Sequence, residues 1–113
     1  MTVLHSLLSA TALSLLVMGL PHTDGFASAM DVAMTRMHGA MMNSWTGDPD
    51  RDFAATMIPH HEGAIDMARL ELRFGKDERL RRLAQGIIVE QQQEIEAMRG
   101  ILLQHDALPH RIP

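Results

Sequence analysis

Apolar residues recur every three or four positions along three stretches of this chain, and nowhere do they alternate. That period belongs to the α-helix, which brings positions i, i+3, i+4 and i+7 to one side. In 113 residues it predicts one small all-α domain. In "MDVAMTRMHGAMMN", Met30, Met34, Met37 and Met41 form one stripe, with His38 beside it. A second helix is expected from about Asp50 to Phe74, opened by the acidic "DPDRD"; Phe53, Met57, His60, His61, Ala64 and Met67 share one side of it. A third is expected from about Asp77 to Gln104. Its stripe is Leu80, Leu83, Ala84, Ile87, Ile88, Ile95, Met98 and Leu102, interrupted by Gln91 and edged by Glu94.

The breaks are short: "SWTGDPDR" after the first helix, Gly75 and Lys76 after the second. Short connections make consecutive helices antiparallel neighbours, so the expected fold is a small antiparallel bundle of three main helices. The turn at Gly75 and Lys76 then sets His60 level with Gln91, and Met57 with Glu94. The first connection sets Met34 near His60, and Met37 near Met57. Trp45 is expected to close the bundle end, and the tail "HDALPHRIP" to be frayed. Pro59 has no N–H to give the carbonyl of Ala55, so a kink or a helix restart is expected just before His60.

The first 29 residues carry no Lys or Arg and only Asp24 as an acid. "HSLLSATALSLLVMGL" followed by "ASAM" reads as a signal peptide cleaved after Ala29, leaving a helical metal-binding domain at 30–113. That portion has a net charge of −3, with all ten Lys and Arg and thirteen of the fourteen acids. No basic patch suggests nucleic acid, and no stable membrane span remains once the leader is removed. The expected location is the periplasm or the extracellular space, where cysteine would be open to disulfide formation. The chain has none.

The stretch "MIPHHEGAIDMA" (residues 57–68) carries the chemistry. Thioether sulfur is a soft donor suited to Cu(I) and Ag(I), and imidazole binds copper in either oxidation state. Met57 lies three residues before His60 and four before His61, so both pairs can converge on one ion. Met34, Met37, Met41 and His38 add candidate donors from the first helix. Gln91 or Glu94 can orient a histidine or bind Cu(II) directly. Met67 reads first as a core residue, because methionine fills irregular gaps well. An enzyme is not expected: "HHEG" lacks the Glu-x-x-His di-iron spacing, and "HEGAI" lacks the second histidine of a zinc protease.

"GDPDRDFAATMIPHHEGAIDMARLELRFGKD", followed by "LRRLAQGIIVEQQQEIEAMRGIL", resembles the secreted bacterial family known as domain of unknown function (DUF) 305. Its characterised members include CopM-like periplasmic copper-binding proteins. The resemblance covers roughly residues 47–103. It implies a ferritin-like helical bundle that binds copper through Met and His. Met57, His60, His61 and Met67 are the ligand candidates it carries over, with Gln91, Glu94 and Met98 matching the second stretch of the family pattern. The function expected is a copper chaperone or sequestering protein, for Cu(I) first and Cu(II) or Ag(I) as alternatives. A copper donor or acceptor protein, or a second copy of the chain, would be its partner. The competing expectation is a helical partner-binding or oligomerising module whose methionine-rich apolar face binds no metal.

Overall fold

The computed structural model describes residues 23–108. They form three helices, α1 (Thr23–Met41), α2 (Pro49–Phe74) and α3 (Glu78–Ala107), with no strand among the described residues. The all-α, three-helix expectation holds. Asp48 caps α2: its side chain accepts from the backbone N–H groups of Asp50 and Arg51, and Pro49 stands where a missing N–H costs nothing. Asp52 reaches back to accept from the Thr46 N–H at 2.9 Å, its hydroxyl at 2.7 Å and the Gly47 N–H at 3.1 Å. Gly47 has φ of 90°, a left-handed conformation that favours glycine. The bonds from Thr46, and then that from Gly47, hold the Asp52 carboxyl below its ordinary range.

Helix α2 runs through Pro59 without the expected restart. The reason lies outside the helix. Asn43 Nδ2 donates to the Ala55 carbonyl at 3.1 Å, replacing the bond that proline cannot make. At the other end, Arg81 donates to the carbonyls of Leu72, at 2.6 Å, and Gly75, at 3.1 Å. Asp77 caps α3 by accepting from the N–H groups of Arg79 and Leu80. Together these bonds hold the tight turn between α2 and α3.

Both α1 and α3 pack on α2, and no α1–α3 residue pair comes within 8 Å, Cα to Cα. The molecule is therefore an open bundle with α2 in the middle. Its buried apolar residues are Ala33, Ala54, Ile65, Ala68, Ala84 and Ile95. Most are alanine, so the helices meet over small side chains and remove little apolar area from water. Ile95, 1% exposed, is the one large side chain fully enclosed among the described residues. Along the α3 stripe Ile87, Ile88, Met98 and Leu102 are half-buried, whereas Leu80 and Leu83 are exposed.

Two expectations about the chain ends and loops change. Trp45 is 73% exposed and closes nothing. Helix α3 continues past Gln104 to Ala107, and an Arg51–Asp106 ion pair joins its end to the start of α2. Residues 109–113 lie outside the described residues, as do 1–22 of the expected leader. Residues 23–29 are the first two turns of α1, and Phe26 meets Phe74 edge-on with ring centroids 5.8 Å apart. Among the described residues no helix is long and apolar enough to cross a membrane.

Candidate metal site

His61 is the one buried polar residue among those described, and both of its ring nitrogens are engaged. Nδ1–H donates to the Met57 carbonyl one turn earlier, at 2.8 Å. That bond assigns the tautomer and turns Nε2 toward α3, where it meets Glu94 Oε2 at 2.7 Å. An ionised carboxylate only accepts, so this contact is a hydrogen bond when Nε2 carries a proton as well. A ring fixed at Nδ1 by a backbone carbonyl, with Nε2 presented to a second donor, is also how histidine is prepared for a metal ion.

His60 points elsewhere. Adjacent residues diverge by about 100° around a helix; the two imidazole planes are 62° apart with centroids separated by 5.9 Å, and His60 is exposed. Met57 contributes its carbonyl to His61, and its side chain is half-buried.

The α1 sulfurs take different levels from those expected. A Cβ placed on Gly63 would lie 2.5 Å from Met37 Sδ, so Met37 sits against Gly63 rather than beside Met57. The helix is slid by six residues relative to the sequence expectation. Phe26 against Phe74 and Asn43 against Ala55 give the same register. Loop length alone misjudged it, because Asn43 and Thr46 draw the connection back along the start of α2. Met34, 39% exposed, therefore stands near Asp66 and Met67 rather than His60. Met41, half-buried between the Gly63 and Ala55 contacts, stands level with Pro59 and His60. Helix α3 is slid by about one turn, pairing Glu94 with His61 instead of Met57.

The molecule has two unlike sides. One is a cleft of about 300 Å³ lined by Arg36, Met37, Pro59, Glu62, Asp66 and Arg69 among others. It is laced by charge: Arg36 and Arg69 both bond Asp66, and Arg99 bonds Glu62 at 2.6 Å. On the other side Ala64 and Met67 of α2 line a groove with Leu80, Leu83 and Ile87 of α3. Ala64 and Met67 are each two residues from a cleft residue, or about 200° around α2. By the same rotation His60, Met57 and Glu94 belong to the groove side, as do Met34, Met41 and His38 on α1.

The structure thus joins His61 to Glu94 and brings Met41, Met57, His60 and Met98 to neighbouring levels of one side. It separates Met34 and Met67 from them by about two turns, and Met37 turns to Gly63. His38 is exposed one turn before Met41. Gln91 Oε1 is buried with no partner, one turn before Glu94 on the same side of α3. Among the described residues no three His, Asp or Glu side chains gather closely enough to hold an ion. Sequence reasoning missed Asn43, Glu62, Gly63 and Arg99; only the orphaned Ala55 carbonyl signalled one of them, by demanding some donor.

A stretch of 53 residues, 47% of this chain, is 43% identical to "Uncharacterized protein L153" of Acanthamoeba polyphaga mimivirus, and the match covers 35% of that protein. The chain thus spans about a third of that relative's length. The family model described as "Domain of unknown function (DUF305)" matches residues 4–102, and the chain belongs to that family.

Proposed function

We propose that the chain is a periplasmic or secreted binding protein that carries or sequesters a copper ion, Cu(I) in preference to Cu(II) or Ag(I). The observation that carries this reading is the His61 ring, held by the Met57 carbonyl with Nε2 turned to Glu94. Thioethers at Met41, Met57 and Met98 stand at neighbouring levels, and sulfur is the donor that separates Cu(I) from harder ions. Exposed His60 and Met34 suit capture from solvent or from a partner protein, with exchange toward His61 by successive ligand replacement. In this reading the three helices are part of a ferritin-like bundle whose ion enters from the groove side. The CopM-like family members are the analogy, and the donor set of this chain is the support.

The test is a competition titration of the purified chain with Cu(I) and Ag(I) against a chromogenic chelator. His61→Ala is expected to weaken binding strongly, His60→Ala less, and replacement of Met41 and Met57 by leucine to remove the preference for Cu(I) over Zn(II). Acidification should weaken the imidazole contribution and leave the thioether contribution. Affinity for Cu(I) unchanged by His61→Ala would remove this site from consideration.

A further inference from the structure

We propose that Met37 is an oxidation site that couples a peroxide to the packing of α1 on α2. A Cβ placed on Gly63 would lie 2.5 Å from Met37 Sδ, 2.6 Å from its Cγ and 2.7 Å from its Cβ. The methionine thus fills the notch left by the missing side chain. Of the described glycines, Gly63 is the one whose nearest neighbour is a methionine. Gly63 is buried and Met37 half-buried. Met37 also lines the cleft of about 300 Å³, beside Arg36, Glu62, Asp66 and Arg69. It plugs a helix contact on one side and borders an open, charged cleft on the other. A small oxidant can therefore reach its sulfur while the chain stays folded.

The step is an oxygen-atom transfer from hydrogen peroxide. A lone pair of Sδ attacks one peroxide oxygen and the O–O bond breaks. That oxygen stays on sulfur, which is oxidised by two electrons; the other leaves as water with both hydrogens. The sulfoxide is larger by one atom and strongly polar. A close-packed notch has no room for the extra atom, and a buried S–O dipole without a donor is costly. Withdrawal of the side chain into the cleft relieves both, because water and the Arg36 and Arg69 guanidinium groups can donate there. That withdrawal empties the notch. Helix α1 packs on α2 alone, and at this level the remaining tie is the exposed Arg36–Asp66 pair. Oxidation therefore loosens α1, and Met34, His38 and Met41 move away from α2 with it.

The proposal needs the α1–α2 contact and not the copper reading, so its test uses the full chain without metal. The chain is treated with excess hydrogen peroxide, which is then removed. Peptide mass spectrometry reads each methionine, and thermal circular dichroism reads the fold. Met42 and Met34, 86% and 39% exposed, are expected to gain oxygen first with little change in Tm. As Met37 gains oxygen, Tm should fall by at least about 4 °C. Methionine sulfoxide reductases acting on both epimers should restore it. Met37→Leu keeps an apolar plug without an oxidisable sulfur, and should hold its own starting Tm through the treatment. Met42→Leu should lose as much as the parent. If Met37→Leu folds poorly, the parent still decides, since its loss of Tm must track the oxidised fraction of Met37. A Met37 that stays reduced until urea unfolds the chain overturns the proposal. So does full oxidation of Met37 at unchanged Tm, or an equal loss in a folded Met37→Leu.

Discussion

Replacing Gly63 with alanine sets two effects of opposite sign against each other. Inside a helix alanine is favoured over glycine by about 1 kcal/mol. At this position, however, a Cβ would lie 2.5 Å from Met37 Sδ, 2.6 Å from its Cγ and 2.7 Å from its Cβ. Rotating the Met37 side chain moves the first two atoms but not the third, which is fixed to the α1 backbone. Helix α1 must therefore shift. Overpacking of this kind costs about 1–3 kcal/mol, so the expected net loss is on the order of 1 kcal/mol. For a domain of this size that is about 4–8 °C in Tm. Gly86 is the internal control, since nothing lies within 4 Å of a Cβ there. Gly86→Ala should raise stability by up to about 1 kcal/mol. Met37→Ala in the Gly63→Ala background keeps the offending Cβ and should restore only part of the loss. Urea unfolding followed by circular dichroism measures all three. If Gly63→Ala stabilises as much as Gly86→Ala, α1 does not approach α2 at this point. The levels assigned to Met34 and Met41 would then fall with it.

Further outcomes follow from the same contacts. Asn43→Ala leaves the Ala55 carbonyl without a protein partner; because the site is exposed and water can replace the amide, the loss in thermal unfolding should not exceed about 1 kcal/mol. Asp52 has its carboxyl held below the ordinary 3.8, so its stabilising contribution is complete above that value and disappears as pH falls through the lower folded-state value. Asp52→Asn should flatten the acid limb of a stability–pH curve, and an unchanged limb would refute the role given to the Thr46 bonds. Glu94→Gln keeps the shape but removes the charge beside His61; copper affinity should fall by about 10–100-fold in the competition titration, with helicity unchanged.

Helix periodicity was legible because it is local. The methionine and leucine stripes give three helices, and Asp77 and Gly75 mark the second turn, all from residues within a few positions of one another. Register was not legible, because side chains crossing between elements decide it. Asn43 reaching Ala55 and Thr46 reaching Asp52 shorten the first connection in a way that counting residues misses. Pro59 shows both sides of this. Its freed carbonyl was readable from the sequence, but its partner twelve residues upstream was not, and that partner decides whether the helix breaks. For the candidate site, Gln91 and Glu94 stood out as polar intrusions in an apolar stripe, and Glu94 is what His61 meets. The Met37 stripe position was readable too, yet it serves the α1–α2 contact, because a glycine two residues after His61 leaves room for a sulfur.

The N-terminal end of α1 gives the sharpest consequence for the expected leader. Phe26 is half-buried edge-on against Phe74, whose ring also carries the Arg73 guanidinium 5.0 Å from its centroid. A fully buried phenylalanine costs about 3–5 kcal/mol to truncate, and a half-buried one about half of that, so Phe26→Ala in the full chain should lose roughly 2 kcal/mol. A chain beginning at Met30 loses the same contact, and what it loses besides is mostly exposed: Gly25, Ala27 and Ser28 face water. Its stability should therefore match that of Phe26→Ala to within about 1 kcal/mol. Should the shortened chain instead unfold at the same temperature as the intact one, the first two turns of α1 contribute nothing. Removal after Ala29 would then cost the domain nothing. Should it unfold well below the Phe26→Ala variant, those turns hold α1 in register by more than one ring, and the sulfurs of Met34 and Met41 depend on them for their place beside α2.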